Sequence, residues 1–200
     1  RFGPVAAQLP SPLEAMLGAP DPVVDEDSLT LSVFTPAADD ARRPVLFWIH
    51  GGAFVNGTGA TPWYDGTRFV QRGDVVVVSI NYRLGALGWL HLGHLDPAYA
   101  RSGNSGLLDQ IAALEWVRDN IAGFGGDPGN VTIFGQSGGA SKVAVLMAMP
   151  EAKGLFHRAI IQSASSLLRM APLDAAERNT HHFLSTLGLD AKSLGALHTL

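Results

Sequence analysis

Leu29, Leu31 and Val33 alternate with Thr30, Ser32 and Phe34, and a period of two over residues 29–35 predicts a strand with one buried face. Further on the alternation disappears. "VLFWIH" (45–50) and "VVVVSI" (75–80) are almost continuously apolar, as strands buried on both faces of a parallel sheet are. From 106 to 121 the period changes again, because Leu107, Ile111, Leu114, Val117 and Ile121 recur every three or four residues and predict an amphipathic helix. "GFGGDPGN" ends that helix, with Asp127 as a turn residue, and "VTIF" (131–134) follows as a short strand. A helix over 138–149, a strand over 157–163 and a helix over 173–187 complete the pattern. Strand and helix in alternation predict an α/β fold, a mostly parallel sheet flanked by helices on both faces, within a single domain spanning 1–200.

Two stretches lack a period. Residues 1–28 are rich in proline, alanine and acidic residues and read as a surface loop leading into the fold. "GGAFVNGTGATPWYDG" (51–66) carries too much glycine for regular structure, and a loop of that length is usually functional.

Composition narrows the partners. The 200 residues are 46% hydrophobic and 16% charged with a formal net charge of -4, so no basic stripe is available for a phosphate backbone and nucleic acid is excluded. The absence of cysteine removes disulfides, thiolate nucleophiles and thiolate metal sites. The longest apolar runs fall far short of the about 20 residues that span a bilayer. No cofactor and no metal are expected. The pair His91 and His94 in "HLGH" reads as loop histidines flanking a flexible glycine.

The chemistry centres on "FGQSGGA" (134–140). Gly135 and Gly139 flank Ser137 in a G-x-S-x-G pattern, placed where a strand must reverse sharply into a helix. Such a turn strains its central residue and excludes bulk two positions away, which the glycines permit. The hydroxyl is then exposed at the strand end, beside the amide of Gly138 at a helix N-terminus where a negative charge is favoured. A phosphate loop of the Walker type would need its lysine elsewhere than Lys142. A second loop, "HGGAF" (50–54), follows a buried strand and offers the amides of Gly52 and Ala53 to a developing oxyanion.

Five blocks, "EDSLTLSVFTP", "WIHGGAF", "VVVVSINYRLGALGWL", "GNSGLLDQIAALEWVRDNIAGFGGDPGNVTIFGQSGG" and "GLFHRAIIQSAS", occur in this order. Together they resemble the type B carboxylesterases, the α/β-hydrolase family that includes the cholinesterases and para-nitrobenzyl esterases, over about residues 1–190. The resemblance implies Ser137 as nucleophile, Gly52, Ala53 and Gly138 as the oxyanion hole, and Gly135, Gln136 and Gly139 as the support of the elbow. It also implies hydrolysis of small, uncharged or weakly polar carboxylic esters through an acyl-serine. Phe54, Trp63 and Tyr64, beside the oxyanion loop, are candidates for the substrate pocket, with Trp89 a weaker one. Arg83, just past a strand end, is a candidate to brace the glycine loop, and Asp109 to cap the long helix.

Departures from the family pattern matter as well. The elbow has Gln136 where glutamate is usual, and Ser28 stands where many animal relatives have a disulfide cysteine. The acid and the histidine of the triad fall beyond Leu200 in the family's chain order. His157, His181, His182 and His198 are not in the family's histidine context, and His157 reads as structural. The chain therefore reads as the middle of a longer protein, lacking initial strands and the part that carries the acid and histidine, and close to inert alone. Its location, cytoplasmic or secreted by a bacterium, stays open. The alternatives are a non-catalytic adhesion or binding member of the fold and a truncated inactive product.

Overall fold

Val76–Ile80 is buried at every position, and this strand lies inside a five-stranded sheet rather than at its edge. The structure is a computed structural model that describes residues 2–16, 23–164 and 171–199. The strands are β1 (Leu31–Phe34), β2 (Arg43–Ile49), β3 (Val76–Ile80), β4 (Gly126–Gln136) and β5 (Arg158–Gln162). The helices are α1 (Pro12–Met16), α2 (Thr67–Gly73), α3 (Gly85–Trp89), α4 (Ser105–Asn120), α5 (Gly138–Leu146) and α6 (Leu173–Thr186). The sheet order is β1-β3-β2-β4-β5, with β1 antiparallel to β3 and every other pair parallel.

Register divides the side chains between two faces. Val45 and Phe47 sit opposite Val76 and Val78 on one side, and Val45, Phe47 and Ile49 sit opposite Val131, Ile133 and Gly135 on the other. That face packs against the Leu107, Ile111, Leu114 and Val117 stripe of α4 and against Val143 and Leu146 of α5, forming the main core. The opposite face is covered by α2 and the loop before it, where Gly66 lies against Val77 and Phe34. The long runs at 45–50 and 75–80 are apolar because both faces are occupied.

Several expectations shift in detail. The strand expected at 131–134 begins at Gly126, so part of the glycine-rich terminator pairs with β2, with a register shift between Arg43 and Val45. The 1–28 segment does more than cover the surface: Val5 and Ala6 are buried, and Val5 is bridged to Val24. Asp109 is the fifth residue of α4, past the free amides, so it is not a cap. It accepts from the backbone amide and the guanidinium of Arg83 instead, at 2.6 to 3.1 Å. Among the described residues no helix is long and apolar enough to cross a membrane.

A tight backbone crossing lies where β2, β4 and α5 meet. A Cβ on Gly139 would stand 2.1 Å from the Ile49 carbonyl oxygen and 2.7 Å from that of His50. One on Gly135 would stand 2.7 Å from both Ile49 O and the Gly139 carbonyl carbon. These obstacles are backbone and cannot rotate away. Gly139→Ala is expected to cost about 3 kcal/mol in a urea unfolding series. Gly123→Ala, whose Cβ meets nothing within 4 Å, should change stability by less than about 1 kcal/mol. Similar values for the two variants would contradict the packing described.

Candidate active site

Ser137 follows the last residue of β4 and precedes the first of α5, with φ 55° and ψ -122°. A side-chain-bearing residue rarely occupies this region, and the surrounding contacts hold it there. Its amide donates to Gln162 O of β5 at 2.9 Å, and its carbonyl accepts from the Ser141 amide at 3.1 Å to begin the helix. The backbone is thus fixed on both sides while the side chain is half-exposed.

The glycine loop comes to the same place. A Cβ on Gly51 would lie 3.5 Å from Ser137 Cβ, and one on Gly138 would lie 3.4 Å from the Ala53 amide nitrogen. Gly52, Ala53 and Phe54 have φ of 102°, 52° and 69°, three successive left-handed residues that turn the chain back on itself. Val55 and Asn56 amides both donate to Gly52 O. Among the described residues, no protein acceptor takes the amide hydrogens of Gly52, Ala53 or Gly138. The glycine loop and the turn that carries Ser137 therefore lie side by side.

The loop is held by residues that the sequence did not single out. Gln8 clamps it from the N-terminal segment: its Nε2 donates to Gly57 O at 3.0 Å and its Oε1 accepts from the Gly57 amide at 2.7 Å. Tyr82 Oη donates to His50 O at 2.6 Å and its ring stacks on the His50 imidazole at 4.2 Å. The Gly85 amide donates to Phe54 O at 2.9 Å. The segment after β3 thus supports the loop, but through Tyr82 and Gly85. Arg83 turns away to Asp109 and does not bond to the loop.

Two buried basic groups lie beneath. His50 Nδ1 sits 2.8 Å from Gly51 O, and burial, with the nearby Lys142 charge adding to it, lowers its pKa from 6.5 to about 3. His50 is therefore neutral at physiological pH. Lys142, one turn into α5, is 1% exposed and donates from Nζ to Gly138 O at 3.2 Å. Its ammonium lies 3.6 Å from the Phe54 ring centroid and within 5.3 Å of those of Tyr82 and Trp89. Burial lowers its pKa from 10.5 to about 7. Its place at i+5 from the serine was visible in the sequence; the aromatic box around it, drawn from three separate segments, was not.

The remaining candidates are dispersed. Phe54, on the glycine loop itself, meets Trp89 edge-on at 5.0 Å. Tyr64 tilts against Trp48 of β2 at 4.8 Å, and the exposed Trp63 packs edge-on against Tyr64 at 6.3 Å. His157 precedes β5, where its Nδ1 accepts from the Val131 amide at 3.1 Å. The parallel register puts it five residues, about 16 Å, down the strand from Gln162 and the elbow. His181 and His182 are exposed on α6, and the side chain of His198 lies outside the described residues. A shallow cavity of about 260 Å³ lies at the other end of α5, lined by Leu146, Met149 and Phe156, away from the serine. His91 and His94 stack at 5.3 Å, and with Glu177 of α6 their ligating atoms lie within 4.8 Å of one another.

The fold and sequence are similar to those of known proteins. A model of the carboxylesterase family matches residues 1–198. Para-nitrobenzyl esterase of Bacillus subtilis (strain 168) is 47% identical over 199 residues, which cover 100% of this chain and 40% of that protein. The crystal structure of a Geobacillus stearothermophilus carboxylesterase superposes with a TM-score of 0.89 at 50% identity, over 98% of this chain and 40% of the other. An esterase from Clostridium hathewayi that can hydrolyze aliphatic aromatic polyesters superposes with a TM-score of 0.90 at 44% identity, over 100% and 41%. The chain thus spans about two fifths of the length of these relatives. With the family model matched over residues 1–198 and a solved carboxylesterase superposing at 50% identity, the chain belongs to the carboxylesterase family and has its α/β-hydrolase fold.

Proposed function

We propose that this chain supplies the nucleophile and oxyanion hole of a serine carboxylesterase. The reading rests on the meeting of the strained Ser137 with the unpartnered amides of Gly52, Ala53 and Gly138. Ser137 Oγ attacks the ester carbonyl, whose oxygen gains negative charge and accepts from the three amides, each worth about 10²-fold or more in rate. The alcohol leaves, and water then cleaves the acyl-serine. Both steps need a base near Ser137 Oγ. His50 is buried with Nδ1 turned to Gly51 O, and His157 is at the opposite end of the strand, so neither serves. The base and its acidic partner are assigned to chain outside these 200 residues. Phe54 is the aromatic group best placed to touch the substrate, since it is carried by the oxyanion loop itself.

Lys142 adds a titratable floor beneath this cradle. The protonated amine places a positive charge under the helix start that faces the oxyanion, and its lowered pKa makes that charge partial near pH 7.

Two measurements check these roles. In the full-length protein, Ser137→Ala is expected to lower kcat/KM for a short-chain para-nitrophenyl ester by about 10³-fold or more with the fold retained. Equal rates for parent and variant would rule out Ser137 as nucleophile. The unfolded chain holds a proton on Lys142 up to about pH 10.5, while the native protein releases it at about 7. Native stability therefore rises with pH between those values, and the full cost of the buried charge is present below pH 7. Lys142→Met is expected to stabilise the protein at pH 6 by about 1–3 kcal/mol and to flatten that rise. Unfolding curves that move in parallel from pH 6 to pH 10 would contradict it.

A further inference from the structure

The turn after α3 and the middle of α6 are 83 residues apart in sequence, yet they are locked together. Leu95 and Asp96 amides both donate to Leu92 O, closing a tight turn that brings His91 and His94 onto one side, with their rings stacked at 5.3 Å and 21°. Gly93 allows this, since a Cβ there would stand 2.9 Å from Ala100 Cα. On α6, Thr180 is completely buried and donates from its hydroxyl to His91 O at 2.6 Å. Glu177, one turn earlier, shares that face of α6. The result is a set of two imidazole nitrogens and one carboxylate oxygen within 4.8 Å of one another.

His94 supplies an independent observation. Both of its ring nitrogens are buried, and among the described residues neither has a hydrogen-bond partner. A neutral imidazole carries one donor and one acceptor, and leaving both unmade costs free energy. Coordination to a cation would satisfy the acceptor nitrogen. His181, edge-on to His94 at 5.2 Å, walls the same space.

We propose that His91, His94 and Glu177 bind one divalent cation of the zinc class and thereby pin α6 to the turn after α3. Two nitrogens and one oxygen without sulfur suit zinc or a neighbouring borderline metal, and three protein ligands leave one position for water. Small side-chain rotations bring the three atoms onto a sphere of about 2 Å radius. The bond would add to a small second core, Leu92, Leu184 and Leu194, that joins these elements. This role is structural and does not depend on the ester chemistry of Ser137.

The test is calorimetric titration of the full-length, chelator-treated protein with zinc chloride, with circular dichroism on each variant. The expected result is saturable binding of one equivalent by the parent and by His182→Ala, which removes an exposed histidine of the same helix. Binding should weaken by at least about tenfold in both His94→Ala and the conservative Glu177→Gln, with unchanged spectra. No saturable binding by the parent, or parent-like binding by both ligand variants, would overturn the proposal.

Discussion

The backbone crossing of β2, β4 and α5 is the constraint on which the rest of the site depends. Ile49 and His50 carbonyls lie where any side chain on Gly139 would be, and that proximity lets the loop leaving β2 come alongside the turn leaving β4. Remove it, and the glycine loop no longer lies beside the turn that carries Ser137. The G-x-S-x-G pattern is therefore a packing requirement first. Ser137 φ of 55° follows from it, because the chain must reverse within a single residue to start a helix beneath the loop.

A second layer keeps the loop in that position. Gln8 from the N-terminal segment, Tyr82 and Gly85 from beyond β3, and Lys142 from α5 reach the loop from three directions. Three successive left-handed residues would not persist on local preference alone. The cost is two basic groups removed from water: His50 as a neutral ring, and Lys142 with its pKa near neutrality. Preorganised donors and buried charge often occur together at sites where charge develops during reaction.

Much of this was legible in the sequence, for local reasons. Continuous apolar runs, the 3.6-residue stripe of α4 and the glycine spacing of the elbow are set by neighbours within a turn or a strand, and the sheet and the serine turn follow from them. What escaped was long-range. Nothing around Gln8 marks it as a clamp 49 residues away from Gly57, and nothing near "HLGH" announces Glu177. Arg83 was assigned to the glycine loop and Asp109 to its own helix, yet each is the other's partner across 26 residues. The short helices α2 and α3 were hidden for a different reason, since they carry too few apolar residues to show a period.

The most direct test of Ser137 as the reactive group is covalent labelling. A phosphonylating ester analogue traps a serine activated by a base and an oxyanion hole, and mass spectrometry of the digested full-length protein locates the adduct. The expected result is one phosphonyl group per chain, on the peptide that contains Ser137, formed with loss of esterase activity. Loss of activity with the adduct on another residue, or full activity with Ser137 labelled, would contradict the assignment.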